Sequence, residues 1–291
     1  VYTAHDLPET QLDDAYTKLA RFFGLVGSDK ARYHTPGAHG QVGYTGLLVE
    51  TAAQAEAADW KEMLNWGHEL TPNHPLSVRY PHRYRQNVFP DDVVAGIGDT
   101  LRRFHQVLTE LQRRFLRIIA IGIGCDERFF DHMLADGATL SRAINYPPMT
   151  GAPGAEHVWA AEHADINLIT ALPRATGRGL QIKIGDDWID AAPPPGHVIV
   201  NTGMMLEHVT NGTILPGVHR VVADAGHDGG RLSVVQFCHP SPWTILAPAA
   251  SCITEQTPQV FAPISAADRL DQVLYEINLL DDVRQNGRAA G

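Results

Sequence analysis

Apolar residues recur along the chain at two different periods, and the change falls near residue 140. Before it the spacing is helical. After Pro8-Glu9-Thr10, the residues Leu12, Ala15, Tyr16, Leu19, Phe22 and Phe23 fall at steps of one, three and four, and Gly24 and Gly27 end the run. A longer stripe follows Pro90-Asp91-Asp92: Val93, Ile97, Leu101, Phe104, Leu108, Leu111 and Phe115. It predicts the longest helix, from Pro90 to about Gly122, with a short helix after it from Asp126 to Leu134. Residues 31–50, rich in Gly and His, read as loop with one short strand.

From Leu140 the pattern changes to short strand-like runs. These are Leu140–Tyr146, Val158–Ala161, Ile166–Ala171, Leu180–Ile184, Trp188–Asp190, Val198–Asn201, Val218–Val222 and Leu232–Phe237, with Pro147-Pro148, Gly185-Asp186, Asn211-Gly212 and Gly229-Gly230 among the separators. Eight short strands with regular turn punctuation predict a jelly roll or barrel. A last amphipathic helix is expected from Ser265 to Leu280. No repeat and no long linker divides the chain. The expectation is one α+β domain over residues 1–291. Its parts are a mainly helical segment (1–139), a jelly-roll core (140–240), and a C-terminal segment with its helix (241–291).

Composition narrows the function. At 291 residues the chain is long enough for a real core. Its 23 Lys and Arg against 33 Asp and Glu give a net charge of −10, with no basic run, which argues against nucleic-acid binding. No apolar run reaches the roughly 18 residues of a membrane span. Three cysteines without a CxxC pair make a disulfide framework unexpected, and a cytoplasmic location is the default. The expected partner is a small molecule, and the expected state a monomer or weak homodimer. The unusual figure is 15 histidines, since His is the commonest metal ligand and general base.

One histidine has a carboxylate at useful spacing. In Glu162-His163-Ala164-Asp165, residues i and i+2 of a strand would aim an imidazole and a carboxylate at one point. His219, on a later strand, would face them across the barrel. Two His and one carboxylate form the facial triad of non-haem Fe(II) oxygenases. By composition, about one HxD is expected by chance in such a chain, so the pair gains meaning only from its surroundings. Twelve residues beyond His219 come Arg231-Leu232-Ser233. The Arg and Ser share a face of an otherwise apolar strand, and a guanidinium there needs a buried anion or must lie outside the barrel.

The order of these pieces resembles the isopenicillin N synthase-like family of Fe(II)/2-oxoglutarate-dependent oxygenases. The similarity runs through Asn145-Tyr146-Pro147-Pro148, His163-Ala164-Asp165, Gly179-Leu180-Gln181, Asn201-Thr202-Gly203, His219-Arg220-Val221 and Arg231-Leu232-Ser233. It extends to His5-Asp6-Leu7, Phe22-Phe23 and Asp59-Trp60-Lys61-Glu62 nearer the start. The resemblance implies a double-stranded β-helix holding Fe(II) on His163, Asp165 and His219. Arg231 and Ser233 would grip the distal carboxylate of 2-oxoglutarate, which Tyr146 would also reach, and O2 would be the other cosubstrate.

The implied activity is oxidation of a C–H bond of a small molecule by hydroxylation, desaturation or cyclisation. Relatives that halogenate carry a small residue where this chain has Asp165, so halogenation is not expected. The alternative is an oxidase of the isopenicillin N synthase type that uses no 2-oxoglutarate, because that enzyme also carries the Arg-x-Ser pair. A Zn hydrolase would need a His-Glu-x-x-His segment, which is missing. The substrate pocket is expected between loops 31–50 and 79–89 under the C-terminal helix. Arg79, Arg83 and Arg85 are candidates to hold a substrate carboxylate. The strand that precedes the opening helix in the family has no counterpart in the pattern, and is expected to be trimmed or unordered.

Overall fold

The computed structural model describes residues 1–51, 57–71, 73–154, 156–223 and 228–276. The N-terminal part runs β1 (Tyr2–Ala4), α1 (Glu9–Phe23), α2 (Gly27–Ala31), β2 (Gly43–Thr45), β3 (Glu62–Gly67), α3 (Pro75–Arg79), α4 (Ile97–Gly122) and α5 (Asp131–Leu134). The core follows as β4 (Leu140–Tyr146), β5 (Ala160–His163), β6 (Ile169–Ala175), β7 (Leu180–Ile184), β8 (Asp187–Asp190), β9 (His197–Thr202), α6 (Met204–Val209), β10 (His219–Val221) and β11 (Arg231–Cys238). A small β12 (Ile245–Leu246) and β13 (Ile264–Ser265) pair precedes α7 (Ala266–Glu276).

All strand pairing among the described residues is antiparallel. A seven-stranded sheet has the order β1-β9-β6-β11-β4-β3-β2, and a four-stranded sheet the order β5-β10-β7-β8. The eight strands between Leu140 and Cys238 thus divide four and four, as a jelly roll requires. Three further strands widen the larger sheet. The missing N-terminal strand is therefore a mistaken expectation: Tyr2–Ala4 pairs with His197–Ile199 at the sheet edge. A three-residue strand is too short to show a period, so only its pairing reveals it.

Period-two alternation decides which side chains meet the helices. On β11, Leu232, Val234 and Cys238 join the core built on α1 and α4, whereas Val235 and Phe237 face the space between the sheets. On β3, Leu64 and Trp66 face the helices and Met63 faces inward. Polar anchors fix α4 to the sheet. Gln112 Nε2 donates to the carbonyls of Ile169 (3.2 Å) and Gln236 (2.8 Å), and Trp66 Nε1 donates to Leu101 O at 3.1 Å.

The long helix starts seven residues later than its apolar stripe suggests. Gly96 sits at φ 71°, a left-handed conformation that stops helix propagation backward to Pro90. In its place the Asp91 side chain accepts from Gly98 N at 3.0 Å. The short helix expected from Asp126 is helical only over Asp131–Leu134, after turns. The last helix covers Ala266–Glu276, and its expected continuation to Leu280 lies outside the described residues.

Candidate active site

Two paired strands and one turn supply the expected metal-ligand set, whose three residues could together hold a metal ion. β5 and β10 are neighbours, and His219 lies directly opposite His163 in the ladder. The expectation that the two histidines face each other across the barrel is corrected by this pairing. Their ring centroids are 4.3 Å apart. Asp165 is not on the strand either. β5 ends at His163, and the carboxylate comes from the turn that follows, with Asp165 Oδ1 4.0 Å from His163 Nε2. One ligand atom from each of the three lies within 4.8 Å of the others.

The remaining polar atoms of the triad are tied down. His163 Nδ1 bonds to Ala161 O at 2.8 Å and His219 Nδ1 to Gly217 O at 3.0 Å, which leaves each Nε2 for the centre. Thr170 Oγ1 donates to Asp165 Oδ2 at 2.6 Å. Burial first, then the adjacent His219 ring, pushes the His163 imidazole down to about 4, so it is neutral as a ligand must be. Burial works to raise the Asp165 carboxyl, but the two histidines and its hydrogen bonds hold it below the usual range. Two imidazoles that present Nε2 and one ionised carboxylate fit Fe(II).

The turn is held by α6. Amides of Met204 and Met205 donate to Asp165 O and Ile166 O at 2.8 and 2.9 Å. This approach is close enough that a Cβ at Gly203 would collide with the Asn167 carbonyl. The glycine of Asn201-Thr202-Gly203 is thus required by the metal-site turn.

Arg231, Ser233 and Tyr146 come together on the inner face of the larger sheet. Arg231 pairs with Tyr146 across β11 and β4, and its guanidinium lies 5.2 Å from the tyrosine ring centroid. Arg231 Nη1 donates to Ser233 Oγ at 2.9 Å. The arginine is only 2 % exposed, and among the described residues no carboxylate is one of its hydrogen-bond partners. The buried guanidinium inside the barrel thus has the chemistry to take an anion.

A cavity of about 380 Å³ is lined by His163 and Asp165 of the triad. Gln41 and Glu50 come from the expected 31–50 loop, and Leu270, Val273 and Leu274 of α7 cover it. The 79–89 loop contributes none of its wall, so the structure does not bring Arg79, Arg83 and Arg85 to the site. Arg83 is ion-paired to Asp271 on α7, Arg85 donates to Gly37 O, and Arg79 lies over the Tyr80 ring.

The wall instead holds a buried charge network. Lys61 Nζ is 2.8 Å from Asp59 and 3.2 Å from Glu50. Arg142 is 3.2 Å from Glu50, and also donates to Asn65 Oδ1 (2.7 Å) and Gly40 O (3.0 Å). Burial disfavours the charge on Lys61 and on Glu50, yet their partners raise the lysine and lower the glutamate, so both stay ionised.

Arg142 was discoverable. It shares a strand face with Tyr146 by the period of two, and a charge in that apolar run poses the same question as Arg231. His239, just past the end of β11, also lines the cavity, and no local pattern in the sequence marks it.

Comparison with known proteins identifies the family. A family profile described as the 2OG-Fe(II) oxygenase superfamily matches residues 138–240, and one described as non-haem dioxygenase in morphine synthesis N-terminal matches residues 2–92. The chain is 30% identical to a 2OG-Fe(II) oxygenase family protein from Caulobacter crescentus, with a TM-score of 0.84 over 95% of this chain and 89% of that one. A full-length Neurospora crassa protein solved in complex with alpha-KG is 26% identical with a TM-score of 0.80, covering 94% of this chain and 85% of that one. The 2'-deoxymugineic-acid 2'-dioxygenase of Hordeum vulgare is 28% identical over 60% of this chain. The match spans half of the barley enzyme's length. The chain belongs to the 2OG-Fe(II) oxygenase superfamily.

Proposed function

We propose that the protein is an Fe(II)- and 2-oxoglutarate-dependent dioxygenase that oxidises a C–H bond of a small molecule by hydroxylation, desaturation or cyclisation. The observation that carries this reading is the pairing of the triad with a buried Arg231–Ser233 fork, free of any protein carboxylate among the described residues, inside the same barrel. When bound, the metal and its oxo-acid cosubstrate supply the O2-dependent oxidising chemistry of the family.

The chain's own residues supply the rest. His163, His219 and Asp165 hold the metal, and the carbonyls of Ala161 and Gly217 keep each imidazole in the tautomer that presents Nε2. Arg231 and Ser233, with Tyr146 alongside, orient the cosubstrate by its distal carboxylate. Leu270, Val273 and Leu274 of α7 line the cavity, and would exclude water around a bound substrate. Three thiols outside any disulfide fit a reducing, cytoplasmic setting. No helix among the described residues is long and apolar enough to cross a membrane. Residues 1–291 are read as one domain, acting as a monomer or weak homodimer.

The test is a screen of small molecules with Fe(II), 2-oxoglutarate and O2, read by succinate formation. Substrate-coupled succinate is expected. If O2 is consumed with a true substrate and no succinate forms, the oxidase of the isopenicillin N synthase type takes the place of this reading, and Arg231 with Ser233 would anchor the substrate instead.

A further inference from the structure

β5 carries His163, yet the smaller sheet alone does not fix it. The strand lies at the sheet edge, with β10 as its one strand neighbour among the described residues. Its register also slips. His163 stands opposite His219, but Val221 stands opposite Ala160, where a regular ladder would give Ala161. Ala161 and Glu162 therefore share the place opposite Arg220, as in a β-bulge. A bulge bends its strand and re-aims the side chains beside it, and an edge strand has no second neighbour to hold that bend.

The restraint comes from the other sheet. Asp59 lies just before β3, on the larger sheet, and is 3 % exposed. Its Oδ1 accepts from Ala161 N at 3.0 Å. The carbonyl of the same Ala161 is the partner of His163 Nδ1, at 2.8 Å. One residue within the bulge thus has its N–H held by Asp59 while its C=O holds the ring of a metal ligand. The other carboxylate oxygen, Oδ2, accepts from Lys61 Nζ at 2.8 Å, and Lys61 also meets Glu50 at 3.2 Å. The backbone on either side runs along the same seam. Asp59 N donates to Glu50 O at 2.9 Å, Trp60 N donates to Val158 O at 2.7 Å, and His157 Nδ1 bonds to Ala58 O at 2.8 Å. A shift of Asp59 would therefore move Ala161, and with it the acceptor that sets the tautomer and ring direction of His163.

We propose that Asp59 is a positioning residue of the metal centre: from the larger sheet its carboxylate fixes the bulged stretch of β5, and thereby aims His163 Nε2, while Lys61 fixes the carboxylate. The inference rests on the reading of His163, Asp165 and His219 as the metal ligands. It gives the buried charges beside the cavity a task besides holding the fold. Losing a group that orients a ligand through its other ring nitrogen weakens metal binding about 10–100-fold, and Asp59 acts one step further out, so the low end of that range is expected.

The test loads the protein with Co(II), whose visible absorption reports ligand geometry. Affinity is read by competition with a chelator, and circular dichroism establishes that each sample is folded. Asp59→Ala should bind Co(II) about tenfold more weakly than the wild type and show an altered absorption band. Asp59→Asn keeps an oxygen for Ala161 N but turns a donor toward Lys61, so its loss should be smaller and its band closer to that of the wild type. Leu108→Ala opens a cavity in the core around α4, and should lose stability while keeping both affinity and band. Wild-type affinity and band in folded Asp59→Ala overturn the proposal, and Asp59 would then only tie the two sheets together. An equal loss in Leu108→Ala overturns it too, because softening of the whole fold would account for both. Should the alanine variant not fold, Asp59→Asn decides alone, and wild-type affinity and band in that protein overturn the proposal. His163→Ala is measured alongside. Unchanged Co(II) binding there would overturn the ligand assignment and the proposal with it, a failure distinct from an Asp59 without effect.

Discussion

Replacing Arg231 by Ala tests the cosubstrate assignment most directly. The guanidinium has five N–H donors. In the structure Nε bonds to Gly177 O at 3.3 Å and one Nη1 hydrogen to Ser233 Oγ at 2.9 Å. Three donors remain, enough for a two-bond fork on a carboxylate. Charge-assisted hydrogen bonds contribute about 1.5–3 kcal/mol each. Loss of even one weakens binding by roughly tenfold, and loss of both by about two orders of magnitude or more. Titration calorimetry of 2-oxoglutarate into anaerobic, Mn(II)-loaded protein reads this without turnover. Arg231→Ala should lose at least tenfold in affinity while metal binding is unchanged. Arg231→Lys should recover only part, since an ammonium cannot fork. Wild-type affinity in the alanine variant would refute the reasoning, and Arg231 would then hold something else.

Three further outcomes are expected. Lys61→Met leaves Glu50 and Asp59 buried without their shared cation, so denaturant unfolding should show a loss of about 3–5 kcal/mol. Thr170→Val removes the hydroxyl that orients Asp165, and metal affinity measured by competition with a chelator should fall about 10–100-fold while the fold is kept. His105, bonded to Ser141 at 2.8 Å, is pushed down to about 4 by burial, so protonation favours the unfolded chain. Its contribution is present above about pH 6.5 and is lost as pH falls toward 4, with a slope of about 1.4 kcal/mol per unit; His105→Gln should flatten the stability profile of the metal-free protein by that amount, and an unchanged slope would sink the assignment.

The strands from Leu140 to Cys238 were legible because turn residues separate them and their apolar runs are short. Leu140–Tyr146 and Leu180–Ile184 have the predicted ends, and most others shift by one to three residues. The elements that were not legible are those whose cause lies elsewhere in the chain. Glu62–Gly67 is as long as strands that were legible, but its helix-facing side begins with Glu62, a buried acid paired with Lys30 (2.7 Å), so a charge stands where the apolar alternation would start. The triad residues were readable as types at a spacing, yet the geometry behind them was not. Asp165 reaches the centre from a turn fastened by the amides of α6, and no local period encodes that. The three arginines near residue 80 misled because clustering in sequence is not convergence in space. Arg83 is consumed by Asp271, on the far C-terminal helix.

The alternation on β11 also bears on how this protein could change. Even-numbered positions from Leu232 to Cys238 belong to the support of the helical layer, and odd-numbered ones from Arg231 to Phe237 face the space between the sheets, where Phe237 lines the cavity. Parity therefore separates two kinds of selection within one strand. Drift at Phe237 could retune which molecules are accepted while the scaffold keeps its stability. A one-residue slip of the whole strand's register would exchange the two sets at once. A library confined to odd positions of β11 and even positions of β4, sparing Arg142, Tyr146, Arg231 and Ser233, would explore new substrates at the smallest risk of unfolding.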